Sequence, residues 1–183
     1  MSDDETPPGD EPAKKKQIVI EMQGVDKRHL ALVWQKMKQG VELVGDEAYI
    51  GRSLADHPEW FPIFDTIGLL EGEDELPDGQ NPFAHVTFHV VIGSQIFHRR
   101  PTEAEIFYRM RLRQGDERHD VIHMMINVFQ RHLVWAAQHA QQTGGKMDFD
   151  LAAYGKTLKS LWPLKTKRLW QRLGHEGPPK AHG

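Results

Sequence analysis

Two short motifs carry the chemistry in this chain: His85-x-x-x-His89 and His119-x-x-x-His123. On an α-helix that spacing stacks both rings on one face, about 40° apart and one turn from each other, so that both can reach a single ion. Imidazole is a neutral nitrogen ligand suited to zinc, copper, iron and nickel. If the two segments are helices packed face to face, four imidazoles converge inside a bundle. His85, His89, His119 and His123 are therefore the candidate ligands of one divalent metal, zinc first, with iron or another ion as the alternative. Three imidazoles and a water would make a catalytic zinc site, and four would close it. The competing reading is a set of core histidines that each donate a ring proton to a carbonyl, since eleven histidines produce some pairs by chance. Against it stands the desolvation cost of four imidazoles in one core, which asks for a shared reason.

The other histidines offer less. His132 and His139 fall on the face opposite His119 and are expected in solvent. His29, His98, His175 and His182 lie near ends or in tails. His57, in His57-Pro58-Glu59-Trp60, follows a helix and is expected to interact with its C-terminal carbonyls. An acid–base partner is harder to find. Asp120 adjoins His119 but projects about 60° from His123 on a helix, while Glu103 and Glu105 belong to the start of the intervening helix. His119–Asp120 with Asp148 downstream is similar to metal-dependent helical phosphohydrolases of the HD type, on a two-residue signal. Gly144-Gly145-Lys146 lacks the first glycine and the Ser/Thr of a phosphate-binding loop.

The elements that must position these rings are helical by their start signals. Phe83 to Phe97 contains no Asp, Glu, Lys or Arg, which marks a buried segment. Val86, Val90, Val91 and Ile92 would also suit a strand, but Asn81–Pro82 supplies a capping side chain followed by proline at the first helical position. In 117–141, Ile122, Ile126, Phe129, Leu133 and Ala137 surround His119 and His123. Asp26 can cap a helix through Lys38, and Asp46 one through Leu54. Thr102 to Glu105 reads as a capping box, and Asp148 or Asp150 can cap a helix toward Leu161 after the break at Gly144–Gly145. The expectation is an all-α fold, a compact bundle of about six helices, with a short strand possible at 17–21.

The 183 residues suit one domain, placed at 22–172, with disordered tails at 1–21 and 173–183. The absence of cysteine excludes disulfides, thiolate metal sites and cysteine nucleophiles. No apolar run spans a membrane, and the acidic, proline-rich start is not a secretory signal, so the protein is expected in the cytoplasm. Residues 1–80 carry a net charge of −10 and residues 81–183 one of +7. The acids Glu71, Glu73, Asp74, Glu75 and Asp78 read as a loop. Lys156, Lys159, Lys165, Lys167, Arg168 and Arg172 could touch a polyanion or a protein partner, with Trp162 and Trp170 beside them. A non-catalytic interaction module is thus the alternative to a metal-binding protein, and a solvated helix face is the plainest explanation of the charge.

The run Asn81-Pro82-Phe83-Ala84-His85-x-x-x-His89, the Arg100–Pro101 junction, Gly115–Asp116 and His119-x-x-x-His123-Met124-Met125 follow one another in a specific order. With His57-Pro58-Glu59-Trp60 upstream, and Trp135-x-Ala137-Gln138 and Tyr154 downstream, the chain resembles the bacterial family catalogued as domain of unknown function 1841, over residues 27–161. The resemblance implies a helical fold and histidines at the same four positions, without an established activity. Its members usually carry Glu directly before the last His, and another downstream. Here Ile122 and Gln130 stand in those places, which would impair a hydrolase using that Glu as base and leave binding through imidazoles intact.

Overall fold

A computed structural model describes residues 26–66 and 81–174. The described residues form eight α-helices and one 3-10 turn, with no strand among them. In chain order these are α1 (Lys27–Lys38), α2 (Asp46–Ala55), the 3-10 turn η1 (Pro58–Trp60), α3 (Phe61–Thr66), α4 (Pro82–His98), α5 (Thr102–Arg113), α6 (Arg118–Thr143), α7 (Leu151–Leu161) and α8 (Thr166–Arg172). The all-α expectation holds, and the count is eight rather than about six. The additions are the short helices α3 and α8. Neither reaches three turns, so neither repeats an apolar stripe often enough to show in the sequence. The tails, the possible strand at 17–21 and the acidic stretch 71–78 lie wholly or mainly outside the described residues.

Helix α4 is the axis of the molecule, packing on α2, α5 and α6. Its start is as expected: Asn81 accepts from the Ala84 N–H at 2.9 Å, and Pro82 occupies the first turn. Asp26 and Asp150 cap α1 and α7 in the same way, accepting from His29 and Ala153 at 2.8 Å. Two other expected caps are not used. Asp46 sits inside α2, whose cap position is Gly45 at φ 60, a left-handed angle that glycine adopts without strain. Thr102 is likewise inside α5, where the Pro101 carbonyl accepts from Ala104 at 2.9 Å and Glu105 pairs with Arg109 instead of closing a capping box.

Two apolar cores flank α4. One gathers Leu30, Val33, Trp34, Ile50, Leu54, Trp60 and Phe64 of α1–α3 against Phe83, Val86 and Val90. The other joins Val91 and Ile92 to Phe107 of α5, the apolar face of α6, and Tyr154, Leu158, Leu169 and Trp170 of α7 and α8. Trp170 is therefore fully buried and not offered to a partner, because the short α8 can only be held by inserting its large apolar side chains. Arg111 is also fully buried, 2.5 Å from the Asp116 carboxylate and hydrogen-bonded to Thr166, Gln114 and the Leu164 carbonyl. No helix among the described residues is long and apolar enough to cross a membrane.

Candidate metal centre

The four expected histidines come together where α4 crosses α6. Helix periodicity aligns each pair: the Nε2 atoms of His85 and His89 are 3.0 Å apart, and those of His119 and His123 are also 3.0 Å apart. Phe83, Val86 and Val90 bury the flank of α4 in one core while Val91 and Ile92 bury it in the other. Both histidines of α4 are thereby turned toward the start of α6.

A fifth imidazole joins them. His57 is 2% exposed, and its Nε2 lies 3.3 Å from that of His89. The expectation that His57 engages helix carbonyls is met only by its backbone N–H, which donates to the Leu54 carbonyl. Pro58 prevents α2 from continuing, so the chain turns at His57 and the ring swings inward. Trp60 stacks on that ring with centroids 4.5 Å apart, and Glu59 holds its Nδ1 at 2.9 Å. Asp56 and Arg118 form an ion pair, and since each directly precedes a histidine of the cluster, the pair draws His57 and His119 together. The signal for His57 was present in the sequence. A His-Pro step at a helix end frees the ring from the helix surface, and an acid two residues on can fix its tautomer.

The five rings have a simple arrangement. Around a four-membered circuit, centroid separations are 4.6 Å from His57 to His85, 5.0 Å to His123, 4.5 Å to His119 and 4.9 Å back to His57. One diagonal, His57 to His123, is 6.2 Å. No ring contact joins the other pair, His85 and His119. His89 caps the circuit, lying 4.7–5.1 Å from all four. Donor nitrogens of His57, His85, His89 and His123 all fall within 4.8 Å of one another, with no carboxylate among them. His119 attaches to that group through His123.

Electrostatics favour ligands ready to bind. Burial first, then the neighbouring imidazoles, pushes His85 and His123 from 6.5 down to about 3, and the same causes depress His89 and His119. The rings are therefore neutral at physiological pH, with lone pairs available. A pH dependence follows for metal-free protein. Between pH 6.5 and about 3 the unfolded chain takes up protons that the folded His85 and His123 refuse, so stability is complete above pH 6.5 and falls progressively below it. Melting temperatures measured from pH 8 to 4 should drop steeply below 6.5, and the drop should shrink in His85→Gln/His123→Gln.

The remaining candidates are elsewhere. His132 is not solvated as expected: it packs on α7, its Nε2 3.0 Å from the Thr157 hydroxyl. His139 is exposed and stacks on Trp135. Asp148 follows the far end of α6, roughly 39 Å along a 26-residue helix from its start, which removes it from any phosphohydrolase-like grouping with His119. Asp120 is partly buried, and burial followed by Asp116 and Glu117 raises its pKa. Ile122, standing where the resemblance leads one to expect a glutamate, is buried in the apolar core, and Gln130 is exposed.

The family model described as Domain of unknown function (DUF1841) matches residues 24–159. No curated protein and no solved structure matches the chain.

Proposed function

We propose that this chain, which belongs to the DUF1841 family, is a metal-binding helical protein that holds one divalent ion among His57, His85, His89, His119 and His123. One observation carries the reading: donor nitrogens of His57 ahead of η1, His85 and His89 of α4 and His123 of α6 lie within 4.8 Å of one another, with His119 joined to them through His123. Polar rings gathered this closely, with burial opposing protonation of the four on α4 and α6, gain little by hydrogen-bonding one another and much by sharing a cation. Elemental analysis of untagged protein tests this directly. One metal ion per chain, lost on chelation, is the expected result, and a metal-free chain that cannot be reloaded would refute it.

Glu59 acts on the ion through His57. A carboxylate on the outer ring nitrogen fixes the tautomer, leaves Nε2 as the donor and raises its basicity. Glu59→Gln should weaken metal affinity about 10–100-fold, read by competition with a chromogenic chelator, while the fold measured by circular dichroism is unchanged.

A metal-dependent hydrolase is the narrower form of this proposal. It would need a general base near the ion, and Glu59, already bonded to His57, and Asp120, kept protonated to higher pH, are the acids to mutate. The second reading, a module that binds a polyanion or partner protein, is favoured by one observation. Lys156, Lys159, Lys165, Lys167, Arg168 and Arg172 are all exposed along α7, α8 and the turn between them. Nucleic-acid binding that weakens steeply with salt would support it.

A further inference from the structure

Resting on the metal-binding proposal and going beyond it, the geometry points to a tetragonal centre: a first-row transition ion with His89 at the apex, the other four imidazoles as its base, and the position opposite His89 open to a small anion. With metal–nitrogen bonds near 2.1 Å, ligands at 90° place their donor nitrogens about 3.0 Å apart and their ring centroids about 4.6 Å apart, whereas tetrahedral ligands require about 3.4 and 5.3 Å. The Nε2 separations are 3.0, 3.0 and 3.3 Å. Eight of the ten ring pairs fall between 4.5 and 5.1 Å. Opposite ligands of such a base should have centroids about 6.5 Å apart, close to the 6.2 Å from His57 to His123. A trigonal bipyramid would instead spread three of the pairs to about 5.6 Å.

Four donors lie within 4.8 Å of one another and a fifth imidazole, His119, has its Nε2 3.0 Å from that of His123, one ring more than a closed zinc site uses, since structural zinc is almost always four-coordinate. Tetragonal nitrogen sites suit copper(II) and nickel(II), and imidazole suits iron as well. The open side follows from burial. His89 is 3% exposed, while three of the four base rings, His85, His119 and His123, reach the surface in part, so the position opposite His89 faces outward. Charge then selects the ligand. Neutral imidazoles leave a divalent ion's charge uncompensated, and no carboxylate belongs to the donor group. A small anion at the sixth position supplies part of the missing negative charge.

The test uses the full chain, stripped of metal, titrated with cobalt(II) and then with azide. The expected result is one cobalt per chain with the weak visible absorption of a five- or six-coordinate ion, and a saturable band shift on adding azide. Copper(II)-loaded protein should give an axial electron paramagnetic resonance spectrum that azide alters. Intense four-coordinate cobalt absorption would overturn the tetragonal centre while leaving metal binding intact. Weak absorption with no azide response would overturn the open position. A chain retaining neither cobalt, copper, nickel, iron nor zinc would instead refute the metal-binding proposal beneath it.

Discussion

Replacing His89 with alanine should abolish stoichiometric metal binding and erase the difference in melting temperature between metal-loaded and chelated protein. His89 is the one ring with centroids within 5.1 Å of all four others, and at 3% exposure it is the least accessible ring of the α4–α6 quartet. Its loss leaves a circuit of imidazoles without the donor that sits beneath them. An ion present at 100 times its dissociation constant stabilises the folded state by about 2.7 kcal/mol. In a domain of this size each kcal/mol shifts the midpoint by about 2–4 °C, so chelation should lower the wild-type midpoint by roughly 5–11 °C. In His89→Ala the two scans should coincide. Comparing each protein with its own chelated form removes the separate effect of the cavity that alanine leaves. Calorimetry with parallel elemental analysis reads both quantities, and a variant that kept its full complement of metal would contradict the apex role.

Arg111→Ala should destabilise the fold by about 3–5 kcal/mol, the usual result of leaving a buried charge without its partner. Arg111 is fully buried, and the Asp116 side chain is 5% exposed. The guanidinium also donates to Thr166, Gln114 and the Leu164 carbonyl, so it ties the end of α5 to the approach of α8. Removing it strands the Asp116 carboxylate and several acceptors at once. Because the cost comes from the stranded partner, Arg111→Met/Asp116→Asn should recover most of it. Urea denaturation of the two single variants and the pair forms a complete cycle. A loss below about 1 kcal/mol in Arg111→Ala would show that water takes over the carboxylate.

The legibility of these features in the sequence differed by scale. The helices that frame the site announced themselves, because Asn81–Pro82 and the uncharged run behind it leave a helix no plausible alternative face to expose. The i,i+4 histidine pairs followed from helix periodicity alone. His57 did not, since its inward turn depends on Pro58 ending α2 and on Trp60 stacking from a 3-10 turn that has no periodic signature. Arg111 gave no signal of its burial. Its partners at 116, 164 and 166 are brought to it by the return of the chain, and an arginine in an amphipathic helix ordinarily reads as solvent-facing. Thr102 shows the opposite error. A capping-box sequence was present, yet Pro101 at the cap position moved the helix start one residue earlier.

The imidazole cage lies along the border between the two apolar cores, with His57 arriving from the α1–α3 side and His119 and His123 from α6. A cation there would act as a rivet. It would make the amino-terminal helices and the carboxy-terminal bundle open as one cooperative unit under hydrogen exchange, whereas the demetallated chain could release its amino-terminal layer first.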